Sequence, residues 1–341
     1  MNTPPPIEDL NSSPQARHFT VPRWPMCEWS WTNQWHASGA QQDWSLFKYH
    51  RRIGCAVLDR LYSYPFRACG ALAMNLARSM LLAAGLLCLS ASLPAEATWV
   101  SVKPSETDPQ IHRFDTPHWI CVNREILLDQ RERGQDRHQL LLFLPGTNGH
   151  GRGAKAFLET AANLGYHCIE LMYPDDVAAA EVCRNDPDPK SYQVFRWAVI
   201  TGGVSPHLTI DRVDSIEHRL LLLLLTLHRK RPREDWGQFM RGNEIAWDRI
   251  AVAGQSQGGG HAGLIGVRHH VARVIMFGAP KDYSRARRQP ATWYSEPKAT
   301  PVEAFFAINH RQDRVGCSFD EVLQSLHVLP PPLQRYPDLV A

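Results

Sequence analysis

Five short apolar runs, separated by segments of helical period, constrain this chain more than any other feature. "HQLLLFLPGTNG" ends its apolar run at Pro145-Gly146, which is how a strand buried on both faces reads. "AKAFLETAANLGY" then sets Ala156, Phe157, Thr160, Ala161 and Leu164 at helical spacing with Gly165 as its stop, and "HCIELMYP" is a second run closed by Pro174. "WDRIAVAG" is a third strand, "GGGHAGLIGVRHH" a helix, "VARVIMFGAP" a fourth strand and "EAFFAINH" at 303–310 a fifth. Strand and helix in alternation predict an α/β fold, a mostly parallel sheet with helices on both faces. Functional residues in such sheets lie at the carboxyl ends of the strands. That rule selects Gly146-Thr147, Ser256 and the segment after His310.

Two segments interrupt the alternation. Asp175 to about Ile210 contains "RNDPDPK" and "TGGVSPH", a polar, turn-laden excursion expected to stay out of the core. "DSIEHRLLLLLLTLHRKR" is predicted as a helix capped by Asp214, with Glu217 as the capping-box partner. Its leucine run from Leu220 is too short to span a membrane and is bracketed by His218-Arg219 and His228-Arg229. A helix buried on both sides fits better.

Ahead of this region, "MNLARSMLLAAGLLCLSASLPAEATWV" begins at Met74 with one positive charge, Arg78, an apolar stretch from Met80 to Leu93, Pro94, and then Ala95-Glu96-Ala97. This is the layout of a secretory signal peptide over 74–97, with a buried core helix as the alternative. Leu87 before Cys88 argues against a lipoprotein site. Signal peptides sit at a chain's start, yet 73 residues precede Met74. Those residues crowd Trp24, Trp29, Trp31, Trp35 and Trp44 among prolines with neither helical nor strand period. Residues 1–73 are therefore expected to be an over-extended start or disordered, and 98–341 the folded domain, secreted or periplasmic. If Met1 is the true start, the apolar segment becomes a membrane anchor.

Basic and acidic side chains nearly balance, 37 against 34, which gives no reason to expect nucleic acid or an anionic membrane surface as partner. The sixteen histidines are too scattered to form a metal tract. Four of the eight cysteines, Cys121, Cys168, Cys183 and Cys317, lie in 98–341. An even number in an exported domain permits two disulfides in any of three connectivities, and buried free thiols are the alternative.

The chemistry concentrates in "RIAVAGQSQGGGHAG". Gly254-Gln255-Ser256-Gln257-Gly258 follows a strand and precedes a helix. In that context a Gly-x-Ser-x-Gly turn presents the serine hydroxyl, and the glycines keep neighbouring side chains clear of it. An ordinary serine in a glycine-rich turn is the plain alternative. A phosphate-cradling loop is excluded because no Gly-Lys-Ser/Thr follows. The helix directs its first amides at the same point, so the Gln257 N–H is the first candidate oxyanion donor. "LPGTNGHGRG" supplies the second, from the Gly146 or Thr147 amide.

From about Gln139 onward the chain resembles an α/β-hydrolase. More narrowly, "TGGVSPH", "DSIEHRLLLLLLTL", "WGQF", "WDRIAVAGQSQGGGHA" and "VARVIMFGAPKD" are similar to a family of exported bacterial α/β-hydrolases, and Ser-Gln-Gly resembles cutinase-like esterases. The resemblance implies ester hydrolysis through a Ser-Asp-His triad, on a small-molecule or lipid-like ester, without metal or organic cofactor. Gln255 departs from the pattern, standing where His or Tyr is commoner. In this fold the acid and then the histidine follow the serine. Asp313 in "NHRQDRVGC" is the favoured acid, with Asp320 and Asp282 as competitors. His327 in "SLHVLPPP" is the only histidine after Asp313; either it closes the triad or the base lies beyond the chain end. His150, His261, His269, His270 and His310 are weaker candidates. The rival expectation is a hydrolase-shaped chain, truncated or serving as a binding module, that does not turn over substrate.

Overall fold

The computed structural model describes residues 97–111, 113–128 and 136–329. The expectations for 1–73 and for the signal segment up to Glu96 fall outside these residues. Seven strands form one sheet: β1 (Thr98–Val102), β2 (His118–Val122), β3 (Leu140–Leu144), β4 (His167–Glu170), β5 (Ile250–Gln255), β6 (Arg273–Phe277) and β7 (Phe305–Ile308). Their spatial order is β1-β2-β4-β3-β5-β6-β7. β3 to β7 run parallel, while β2 is antiparallel to both β1 and β4. Among the described residues the five longer helices are α1 (Lys155–Asn163), α2 (Ser191–Thr201), α3 (Ile216–Lys230), α4 (Gln257–Arg268) and α5 (Phe319–Val328).

The apolar runs form strands because they are needed on both faces. Leu140, Leu142 and Leu144 enter one core with Ile169, Val252 and the buried sides of α2, α3 and α4. Leu141 and Phe143 enter the other, with Ala251, Ala253 and α1. Period-two alternation splits the "LLLFL" run between two cores, as the sequence predicted. α3 departs in degree: Leu220, Leu223 and Leu224 are fully buried, whereas Leu221, Leu222 and Leu225 are only half-buried. No helix among the described residues is long and apolar enough to cross a membrane.

Two local expectations are corrected. The cap of α3 is Ser215, whose hydroxyl accepts from the His218 amide at 3.3 Å. Asp214 instead serves Arg219, which is fully buried and donates to its carboxylate at 2.6 Å; a buried guanidinium outcompetes a cap for the nearest carboxylate. The 175–210 excursion also contributes to the core. Its α2 buries Tyr192, Phe195, Ala198, Val199 and Ile200, apolar positions one turn apart that the flanking polar loops obscured. Cys121, Cys168, Cys183 and Cys317 are all buried free thiols.

Register aligns the carboxyl ends of the parallel strands. Leu144 lies opposite Gly254, Gln255 opposite Phe277, and Phe277 opposite Ile308. The loops after β3, β5, β6 and β7 therefore leave from one edge, where the candidate site lies.

Candidate functional site

Ser256 occupies the single-residue junction between β5 and α4, with φ 52° and ψ −111°. A positive φ on a non-glycine residue costs about 1–3 kcal/mol and persists only where surrounding structure imposes it. Here the Ser256 amide donates to Phe277 O at 2.7 Å, and the Gly260 amide donates to Ser256 O at 3.1 Å. The glycines around it are sterically required. A Cβ on Gly254 would strike the backbone of Gly258, and one on Gly258 would strike the carbonyl oxygens of Leu144 and Pro145. β5, α4 and the end of β3 thus pack backbone against backbone, and the half-buried serine is left at the top of the turn.

Beneath the turn the elbow is locked by a buried ion pair. Arg196 of α2 donates to both oxygens of Asp282, at 2.6 and 2.5 Å, and to Gln257 O at 2.9 Å. Trp293 Nε1 donates to Asp282 Oδ2 at 2.9 Å, and the Tyr294 hydroxyl accepts from the Asp282 amide at 2.9 Å. The Gln257 side chain accepts from Ala179 N at 2.8 Å and donates to Val177 O at 3.0 Å. Asp282 is therefore engaged through both carboxylate oxygens in holding the elbow from below.

Above the turn lies the loop after β3. A Cβ on Gly146 would stand 3.4 Å from Ser256 Cβ and 3.2 Å from Gln255 O, so this loop passes directly over the elbow. The amides of Gly146, Thr147 and Gln257 form no hydrogen bond with another described residue. Ser256 Oγ has no hydrogen-bond partner among the described residues either. Acyl transfer by a serine calls for an accessible hydroxyl with backbone donors close to it, and Ser256 with the loop at Gly146 offers a place for both.

Asp313 lies in the loop after β7. Its Oδ2 accepts from Lys281 Nζ at 2.7 Å and its Oδ1 from the Val315 amide at 3.0 Å. A Cβ on Gly278 would stand 3.5 Å from Oδ2, and Gly278 directly follows the Phe277 carbonyl that holds Ser256. Asp313 and Ser256 thus share one corner of the sheet edge. His327 is exposed on α5 and forms no hydrogen bond with Ser256 or Asp313. Asp320 lies in the first turn of the same helix.

The other histidines have structural surroundings. His261 is fully buried one turn into α4, its ring edge-on to Tyr173 at 5.3 Å, and burial pushes its pKa well below the ordinary value. His269 stacks on Trp197 and Trp247, and His270 Nδ1 lies 3.1 Å from Ala299 O. His150 and His310 are exposed. Among the described residues no group of three or more His, Cys, Asp or Glu could hold a metal ion.

Sequence reading missed Arg196, Glu170 and Asp175. Glu170 ends β4 and Asp175 follows it, so the rule about carboxyl strand ends would have found them had it been applied to β4. Arg196 carried no signal, because its partner lies 86 residues away.

No protein-family model matches the chain, and no curated protein matches it. Among solved structures it is similar to esterase B from Lactobacillus rhamnosis inhibited by a tributyrin phosphonate, at 13% identity and a TM-score of 0.26, over 60% of this chain and 56% of that one. It is also similar to a ferulic acid esterase, at 10% identity and a TM-score of 0.27, over 54% of this chain and 57% of that one. The matched region thus spans little more than half the length of each. The strand order, the antiparallel β2 and the glycine-boxed serine between β5 and α4 are those of an α/β-hydrolase fold.

Proposed function

We propose that this chain is an exported serine hydrolase of carboxylic esters. The observation that supports it most is Ser256: a strained junction residue with an unpaired hydroxyl, beside unpaired amides of Gln257, Gly146 and Thr147. In this reading Ser256 Oγ attacks the ester carbonyl. The Gln257 amide, with that of Gly146 or Thr147, stabilises the oxyanion, the alcohol departs, and water hydrolyses the acyl-enzyme. Asp313 is the orienting acid and His327 the base. His327 must then leave its exposed position on α5 and reach Ser256, and Asp313 must exchange Lys281 for its imidazole. The acyl and alcohol groups remain those of a small-molecule or lipid-like ester.

A second reading, a hydrolase fold that binds without turnover, is supported by the pairing of Asp313 with Lys281 and by the absence of any histidine hydrogen-bonded to Ser256 among the described residues. A fluorophosphonate probe separates the two. The hydrolase reading expects a single adduct, mapped by mass spectrometry to Ser256 and lost in Ser256→Ala; an unlabelled wild type favours the second. The same assay on His327→Ala assigns the base: unchanged labelling removes His327 from the mechanism and leaves Ser256 in it.

A further inference from the structure

We propose that Asp175, backed by Glu170, is a positioning residue for the oxyanion amides of the loop after β3; this rests on the hydrolase reading of Ser256. The loop from Pro145 to Ala154 has little regular structure of its own, and two of its residues, Asn148 and Arg152, hold φ of 53° and 73°. Non-glycine residues stay in that region only where their surroundings impose it.

The surroundings here come from the segment that ends and follows β4. The Tyr173 hydroxyl donates to Pro145 O at 2.7 Å. The Asn148 amide donates to Asp175 O at 3.2 Å, and the Gly149 amide to Asp175 Oδ2 at 2.8 Å. The Gly149 amide also reaches Gly146 O at 2.9 Å, closing the turn that contains Thr147. Further along, the Arg152 amide donates to Glu170 Oε2 at 2.6 Å. The loop is thus held at both ends and in the middle.

What is left unheld matters equally. Asp175 takes up the amides of Asn148 and Gly149, and the two amides just before them, of Gly146 and Thr147, have no partner among the described residues, where the loop passes Ser256 Cβ. Both anchoring carboxyls are buried, Asp175 at 3% exposure and Glu170 at 0%. A buried carboxylate is costly to keep unless its hydrogen bonds are used. Asp175 uses its own to fix the middle of a loop whose ends are held by Tyr173 and Glu170.

The test compares wild type, Asp175→Ala and Asp175→Asn, with two readouts: the saturation rate of fluorophosphonate labelling at Ser256, and amide hydrogen exchange over 145–152. Asp175→Ala should slow labelling on the order of 10- to 100-fold at an unchanged half-saturating probe concentration, since a mispositioned oxyanion donor costs up to that of a deleted one. Exchange over 145–152 should rise. Asp175→Asn keeps an acceptor for the Gly149 amide and should restore both. Labelling of Asp175→Ala at the wild-type rate, or an Asp175→Asn as impaired as the alanine variant, overturns the proposal. An unlabelled wild type overturns the hydrolase reading, and exchange then decides the loop separately: unchanged exchange in Asp175→Ala overturns the positioning role as well.

Discussion

Ser256 is held at φ 52° by contacts to Phe277 and Gly260, and that strain was legible in advance. Glycines two residues either side of a serine, after an apolar run, have few other uses. Glu170 was legible only as the residue at a strand's carboxyl end, because "HCIELMYP" gives no sign that its single charge faces inward. Burial pushes the Glu170 carboxyl up to about 7, against the opposing pull of the amides of Arg152, Gly153 and Ala154 and the Arg152 charge. The native state therefore binds a proton between about pH 4.5 and 7 that the unfolded chain has already released. This contribution to stability is complete below that window and is lost as pH rises through it, on the order of 3 kcal/mol. Glu170→Gln should flatten the slope. Urea unfolding at pH 5 and pH 8 measures it, and an unchanged difference between the two pH values would show that Glu170 is not its source.

At the level of elements, the β5–α4 unit depends on contacts that sequence could only half reveal. Its strand, turn and helix followed from apolar period and glycine placement. What clamps them did not, because Arg196 lies in a helix hidden between polar loops and meets Asp282 only in the folded chain. Removing one partner of a buried pair leaves the other charge uncompensated, so Arg196→Ala should cost about 3–5 kcal/mol. A loss below about 1 kcal/mol in urea unfolding would mean that water or another group replaces the guanidinium. Gly258→Ala tests the backbone packing from the other side. Its added methyl would meet the carbonyls of Leu144 and Pro145, which cannot swing away as a side chain can. A destabilisation of about 1–3 kcal/mol is expected, and a neutral alanine would show that β3 and α4 are less tightly apposed. The shift of the α3 cap from Asp214 to Ser215 has the same origin: a local motif gave way to a long-range demand, here from Arg219.

At the scale of the whole sheet, five of its seven strands, and the edge on which the loops gather, could be read from the chain. β1 and β2 could not. β1, "TWVSV", has two exposed, two half-buried and one buried position, and gains its identity from pairing with β2 rather than from a continuous apolar run. The sheet order itself, with β4 outside β3, follows from crossovers that no local pattern specifies. The proposed acid and base, Asp313 and His327, were the least legible. A loop aspartate and an exposed histidine carry no periodicity, and their partners are set by tertiary contacts such as Lys281 on Asp313. The proposed ester hydrolysis at Ser256 is tested most directly with a short-chain p-nitrophenyl ester on wild type and Ser256→Ala, with urea midpoints measured on both. Turnover by wild type, falling to the buffer rate in Ser256→Ala at an unchanged midpoint, is the predicted result; a Ser256→Ala protein that hydrolyses the ester at the wild-type rate would contradict it.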